Sequence, residues 1–420
     1  MSVVQPSSEL AAQTVWPIDR IKDHTLKMGS GVTPSGGAAS YLDAGIPLLR
    51  SQNVHFDGLR LDDVAYIAEE THEEMSGTKL RARDVLLNIT GASIGRCTFV
   101  PDGFGEGNVN QHVCIIRPAA KLDHKFLAYC LSAPWGQDQV FSSFTGASRQ
   151  GLGQRDLGEI QVPLPPLAEQ QRIAAYLDAS CAAIDAAVAA KRRQLETLDS
   201  LRKSTIKRAV MLGLNPSVET RRTDVEWIPE MPQHWRLVRV KDVMEFFNTI
   251  RVPLSAADRG VMTEKTYDYY GASGVIDKVE DYHFDGTYIL IAEDGANLLT
   301  RSKPLAFLAT GKFWVNNHAH ILKPRWGGDD TYFVTLLESQ DFSLFVTGAA
   351  QPKLTMENLG RFKLAVPRVD EQKEIAAFIR EKDAEFRLLF AQIERQIETL
   401  TAYRKSLIHE CVTGQRRVGG

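Results

Sequence analysis

Residues 157–213 align without a gap on residues 359–415, at an offset of 202 that places Glu169 on Glu371. The pairs include Pro165/Pro367, Gln170/Gln372, Ile173/Ile375, Ala174/Ala376, Arg193/Arg395, Gln194/Gln396, Glu196/Glu398 and Leu198/Leu400. Arg202-Lys203-Ser204 recurs as Arg404-Lys405-Ser406. Roughly a third of the positions are identical, so the chain is a tandem duplication, and whatever it folds into is built twice.

Both copies read as one long helix, at 167–212 and 370–412. Leu177, Cys181, Ile184, Val188, Lys191, Leu195 and Leu198 follow in steps of four and three. Ile379, Asp383, Phe386, Phe390, Ile393, Ile397 and Leu400 repeat the phase, which is the seam spacing of a coiled coil. Acidic groups open each helix (Glu169; Asp370 and Glu371), and basic groups lie near each end (Lys207, Arg208; Arg404, Lys405), as the helix dipole favours. Pro165-Pro166 precedes the first helix, and Gly213 with Asn215-Pro216 stops it. One apolar stripe cannot bury itself, so the simplest partner is the other copy, paired antiparallel within the chain. Two helices packed on their own domains, or a coiled coil between chains, are the alternatives.

Each helix follows a mixed segment. Asp84–Ile89 and Val113–Ile116 read as buried strands in the first, Tyr288–Ile291 and Ala319–Leu322 in the second. The duplication persists weakly here: Val109-Asn110-Gln111-His112 matches Val315-Asn316-Asn317-His318, at an offset of 206. The expected fold is therefore α+β: two globular mixed heads alternating with two long helices, related by a pseudo-twofold. The boundaries are 1–162, 163–226, 227–365 and 366–420.

Composition narrows the class. At 44% apolar and 24% charged, the 420 residues are not those of a disordered or fibrous chain. The five cysteines are odd in number and never spaced C-x-x-C, which suits a reducing cytoplasm. No uninterrupted apolar run reaches ~18 residues, so no membrane span is expected, and residues 1–16 do not form a secretory signal. A net charge of −3 and a pI of 6.4 do not advertise nucleic-acid binding, although local charge decides that question.

The catalytic signatures sought are missing. There is no G-x-x-x-x-G-K-[ST] loop, no Gly-rich strand-loop for S-adenosylmethionine and no Asn-Pro-Pro-aromatic tetrad. Asp370 with Glu371-Gln372-Lys373 superficially resembles a nuclease signature, but it opens a helix and the lysine is missing from the first copy. His318 and His320 face the same way in a strand, without a third ligand at a recognisable spacing. No catalytic residue and no metal site is assigned.

Binding chemistry is better represented. Residues 301–325 hold five cations and no acid, around Trp314, Asn316, Asn317 and His318. Cations neutralise phosphates, and Asn or Gln pairs with base edges. A Thr-Gly-Ala-Ser-Arg149-Gln150 loop in the first segment corresponds to Gly-Ala-Ala-Gln351-Pro-Lys353 in the second.

These features resemble the specificity subunit of Type I restriction–modification systems. The resemblance rests on Val-Pro-Leu-Pro-Pro-Leu-Ala-Glu-Gln-Gln-Arg-Ile (162–173), Gly-Leu-Asn-Pro (213–216), Ile228-Pro229 with Pro232-Gln233-His234-Trp235, Tyr269–Gly274, Ile291–Asn297 and Val315–His320. The second junction departs to Val-Pro-Arg-Val-Asp-Glu-Gln, and Val15-Trp16-Pro17 reads as a degenerate form of the Pro-x-x-Trp motif. The resemblance implies a non-catalytic subunit that reads a bipartite double-stranded DNA target, one head per half-site. It also implies scaffolding of two methyltransferase subunits and up to two motor–nuclease subunits. S-adenosylmethionine, ATP and magnesium would be held by those partners, with no cofactor in this chain. A scaffold or decoy that reads no DNA, and a cryptic DNA-modifying enzyme, are the rivals. Candidate DNA contacts are Thr33, Ser35, Gln52, Asn53, Arg149 and Gln150 in the first head. In the second they are Tyr270, Ser273, Lys312, Asn316, Asn317, His318, Gln351 and Lys353.

Overall fold

The computed structural model describes residues 14–142, 151–348 and 350–419. Two compact units emerge, residues 1–192 with 395–420, and residues 193–394, so each long helix contributes to both.

The first head is built on an antiparallel sheet in the order Thr25–Ser30, Val113–Pro118, Val85–Asn88, Cys97–Phe99. Its central strands are apolar on both faces because both are covered. Val85, Leu87, Cys114 and Ile116 face helices His124–Ser132, Pro134–Ser142 and Gln154–Gly158 and the long helices. The alternate residues, Leu86, Val113 and Ile115, pack with Leu49 and Val109. Those last two belong to a second sheet in the order Ala65–Ile67, Ile46–Leu49, Asn108–Val109.

The second head repeats this order in a larger sheet: Met244–Phe246, Ala319–Pro324, Phe284–Ala292, Ala306–Val315, then Tyr267–Gly271 and Gly274–Val279. The lid pairs also correspond, Ile18–Arg20 with Gln161–Pro163 and Arg236–Arg239 with Lys363–Val366. So do the following helices His124–Ser132 and Asp330–Glu338, capped by Asp123 and Asp329.

The long helices span Leu167–Leu212 and Val369–Thr413, each roughly 68 Å long. Both end at a left-handed glycine, Gly213 (φ 80°) and Gly414 (φ 77°). A tryptophan caps each glycine: Trp235 lies against Gly213, and Trp16 against Gly414. Trp16 is thereby the counterpart of Trp235. In the first unit Leu177, Cys181 and Ile184 share a core with Leu407, Ile408 and Cys411. In the second, Ile206, Ala209 and Val210 share one with Ile375, Ala376 and Ile379. Start packs on end in each case, so the helices pair antiparallel. Of the remaining seam positions, Phe386 and Ile393 are buried, and Val188, Leu195, Leu198, Phe390, Ile397 and Leu400 are half-buried. Arg202 and Arg404 are drawn into this pairing, on Asp383 at 2.9 Å and Asp185 at 3.1 Å. They are therefore not free basic groups on a solvent face.

One window of the first long helix is more apolar than its sequence suggests at a glance. Over 18 residues its mean hydropathy is 1.5, enough by length and composition to cross a membrane. Many alanines, with Ile173, Leu177, Ile184 and Val188 spaced among them, make up that stretch. Within the alanine-rich stretch, Asp178 takes Lys125 (2.6 Å) and the Tyr129 hydroxyl (2.8 Å), and Asp185 takes Arg404. Both carboxylates are thus partnered by protein groups.

The paired Glu-Gln at the helix starts has a specific task. Gln170 is buried; its Oε1 accepts from the Asp123 N–H (2.8 Å), and its Nε2 donates to the Pro165 (2.9 Å) and Lys121 (3.0 Å) carbonyls. Gln372 does the same, accepting from the Asp329 N–H (3.3 Å) and donating to the Pro367 carbonyl (3.1 Å). Each glutamine locks the start of its long helix onto the N-cap of the neighbouring head helix.

Candidate nucleic-acid interface

The matched Asn-amide-His segments form the same turn in both heads, leading into a strand of the main sheet, Val113–Pro118 in the first and Ala319–Pro324 in the second. In the second head Asn316 Oδ1 accepts from the His318 N–H (2.8 Å), a side-chain–closed turn that pushes Asn317 into solvent. In the first, Asn110 Oδ1 accepts from the His112 N–H (3.1 Å), and Gln111 is exposed. The flanking ladder also matches. Glu293 N–H donates to the His318 carbonyl and Leu354 N–H to Glu293, as Ile89 does to His112 and Leu152 to Ile89. Each histidine is oriented from the residues just past the neighbouring strand, His318 Nδ1 by Asp294 at 2.9 Å and His112 Nδ1 by Thr90.

Beneath the second turn lies a polar cluster. Arg251 donates to Glu293, to the Asn317 carbonyl (3.2 Å) and to the Ala319 carbonyl (2.8 Å). Lys353 adds a second cation to Glu293 at 3.2 Å. Burial disfavours the Glu293 carboxylate, but Arg251 and Lys353 hold its pKa below the usual range. His320 is fully buried, and that burial lowers its pKa. Its Nε2–H donates to the Leu354 carbonyl (2.7 Å), while Asn248 Nδ2 donates to its Nδ1 (2.7 Å). His320 is thus a neutral core group supporting the turn.

The candidates divide accordingly. Asn316, Asn317, His318 and Lys353 converge at this turn, and Tyr270 joins through its carbonyl, which accepts from the Asn316 N–H at 3.0 Å. Gln351 is exposed in the adjoining loop, and Ser273 lies half-buried in the turn between Tyr267–Gly271 and Gly274–Val279. Lys312 sits elsewhere on the long hairpin, over the Tyr282 ring at 4.5 Å. In the first head Thr33 and Ser35 are exposed on the loop leaving Thr25–Ser30, where the Gly31 N–H donates to Val113. Gly31 is required there, since a Cβ would lie 1.9 Å from the Val109 carbonyl oxygen. Gln52 is exposed and bonded to Asp63. Asn53 is buried, donating to the Arg60 carbonyl (2.8 Å) and accepting from the Arg50 N–H (2.9 Å). Asn53 and Asn316 therefore hold their loops, with carboxamides turned inward. Arg149 and Gln150 lie outside the described residues. Gln111 and His112 are not among the candidates read from the sequence, yet they match Asn317 and His318 and occupy the same turn.

The comparisons agree with this duplicated plan. The family described as Type I restriction modification DNA specificity domain matches residues 56–197 and 232–399. The putative type I restriction enzyme MjaX specificity subunit of Methanocaldococcus jannaschii is 21% identical, over 96% of this chain and 94% of that protein. The putative specificity subunit S.HindORF215P of Haemophilus influenzae is 29% identical, over 37% of each. Among solved structures, a chain from a study of complex assembly in the type I R-M system superposes with a TM-score of 0.70 at 15% identity, covering 99% of this chain and 100% of that one. The HsdS subunit from Thermoanaerobacter tengcongensis gives 0.53 at 16%, covering 96% and 97%. These two likenesses concern the fold. With both heads and most of both long helices matched in sequence, the chain belongs to the Type I restriction–modification DNA specificity family.

Proposed function

We propose that the chain is the sequence-reading subunit of a Type I restriction–modification complex, each head recognising one half of a bipartite duplex target. One observation carries this reading. The same turn stands at the same place in both heads and presents an exposed carboxamide, Gln111 in one and Asn317 in the other, beside an oriented histidine. A carboxamide can pair bidentately with adenine in the major groove, and histidine adds a further hydrogen-bonding edge. The two amides differ in length by one methylene, so the heads need not read the same bases. Lys353 and Lys312, both exposed, are the cations proposed for phosphate contact in the second head.

The long helices are the proposed scaffold for two methyltransferase subunits and up to two motor–nuclease subunits, which would hold S-adenosylmethionine, ATP and magnesium. The exposed Leu201, Leu388 and Tyr403 on these helices are apolar groups available to such partners. Selection of bound duplexes from a randomised library, with the methyltransferase subunit present, tests the reading. Two constrained blocks separated by an unconstrained spacer are expected. A single block, or no enrichment, would overturn it.

A further inference from the structure

The short helix Glu69–Glu74 of the first head carries Glu69 one turn before His72 and Glu73, so Glu69 neighbours both along the helix surface. His72 is buried to within 1% of full coverage, and its surroundings fix its proton. Asn108 donates through Nδ2 to the Met75 carbonyl (3.1 Å) and to Thr78 Oγ1 (2.8 Å), so its Oδ1 faces His72 Nδ1. An amide oxygen only accepts, so Nδ1 carries a hydrogen, and in the neutral ring Nε2 presents a lone pair. That Nε2 is buried and has no hydrogen-bond partner. A ring nitrogen of His72 and one carboxylate oxygen each from Glu69 and Glu73 lie within 4.8 Å of one another. A buried ring nitrogen without a partner is costly, and a cation shared with the two nearby carboxylates would satisfy it.

We infer that Glu69, His72 and Glu73 bind a divalent ion of the zinc class, through His72 Nε2 and one oxygen of each glutamate, with solvent completing the shell. One imidazole and two carboxylates suit zinc or a neighbouring first-row ion better than calcium or magnesium, which prefer all-oxygen shells. Ligands about 2.1 Å from the ion stand roughly 3.4 Å apart, so the side chains must close by up to about 1.4 Å. Glu69 and Glu73 are exposed and can move that far. Asn108 then serves as the outer partner that fixes the imidazole, the usual arrangement behind a metal-bound histidine. Lys79, which pairs with Glu73, supplies the positive charge that the ion would replace. Among the described residues this is the one cluster of three such groups. Its task would be structural, since Asn108 lies two residues before the Asn110–His112 turn.

Isothermal titration of zinc chloride into the untagged full chain, stripped with chelator, tests the inference, together with metal content by mass spectrometry. One zinc per chain and a raised thermal midpoint are expected in the wild type. Glu69→Gln with Glu73→Gln should lose the stoichiometric ion while keeping the metal-free melting curve. Glu69→Gln alone, which leaves the Glu73–Lys79 pair intact, should weaken binding about tenfold or more. No binding by the wild type, or binding unchanged in both variants, would overturn the assignment.

Discussion

The carboxamides of Gln170 and Gln372 show how much a single side chain settles in this molecule. Each is buried and satisfies a helix N-cap and a proline carbonyl at once. Gln170→Ala should cost about 1–3 kcal/mol, because the Asp123 N–H and the Pro165 carbonyl would stay buried without partners. Urea unfolding checks this, and a loss below about 0.5 kcal/mol would contradict it. His320 sets an acid limit on the second head. Burial lowers its pKa below the ordinary 6.5, so the folded state binds fewer protons there than the unfolded chain. The stability it contributes is present above about pH 6.5 and is lost as pH falls below that value. Glu293, whose pKa is also lowered, adds a second loss as pH falls below about 4.5. The thermal midpoint should therefore fall from pH 7 to pH 5, and less steeply in His320→Asn. Equal slopes would remove His320 from that role.

Among elements, the long helices were the most legible. Pro165-Pro166 and Gly213 bracket the first within the span observed, because a ring without an N–H and a left-handed glycine act locally. The strands at Val85–Asn88 and Val113–Pro118 were legible as unbroken apolar runs, since a strand covered on both faces needs no polar alternation. The outer sheet of Ile46–Leu49 with Asn108–Val109 was not, because its strands are short and its partners lie some sixty residues apart. The inward turn of Asn53 was hidden for a similar reason, as its partners Arg60 and Asp63 depend on how the loop closes. Ile184 lies in the antiparallel core with Leu407, Ile408 and Cys411. A charge there, as in Ile184→Asp, should cost at least ~3 kcal/mol, against about 0.2–1 kcal/mol for Arg404→Ala, which removes a partly exposed ion pair. Comparable losses in the two variants, measured by denaturant unfolding, would mean that the helices are not packed through that stripe.

For the whole molecule, the duplication was legible in the helices and faint in the heads. The long helices kept many identical residues, whereas in the heads the pairing survives in the order of strands and capped helices and, in sequence, chiefly in the Asn-amide-His turn. Under the proposed function, heads with one topology but different exposed side chains suit two different half-sites. The most direct measurement is methylation-site sequencing of the reconstituted complex carrying Gln111→Ala or Asn317→Ala. Each substitution should relax one base position in one half-site, costing about 1–3 kcal/mol of discrimination, and leave the other half unchanged. Gln111→Ala and Asn317→Ala should alter opposite halves. Both substitutions changing the same half, either changing both, or neither changing any, would contradict the assignment of one head to each half-site.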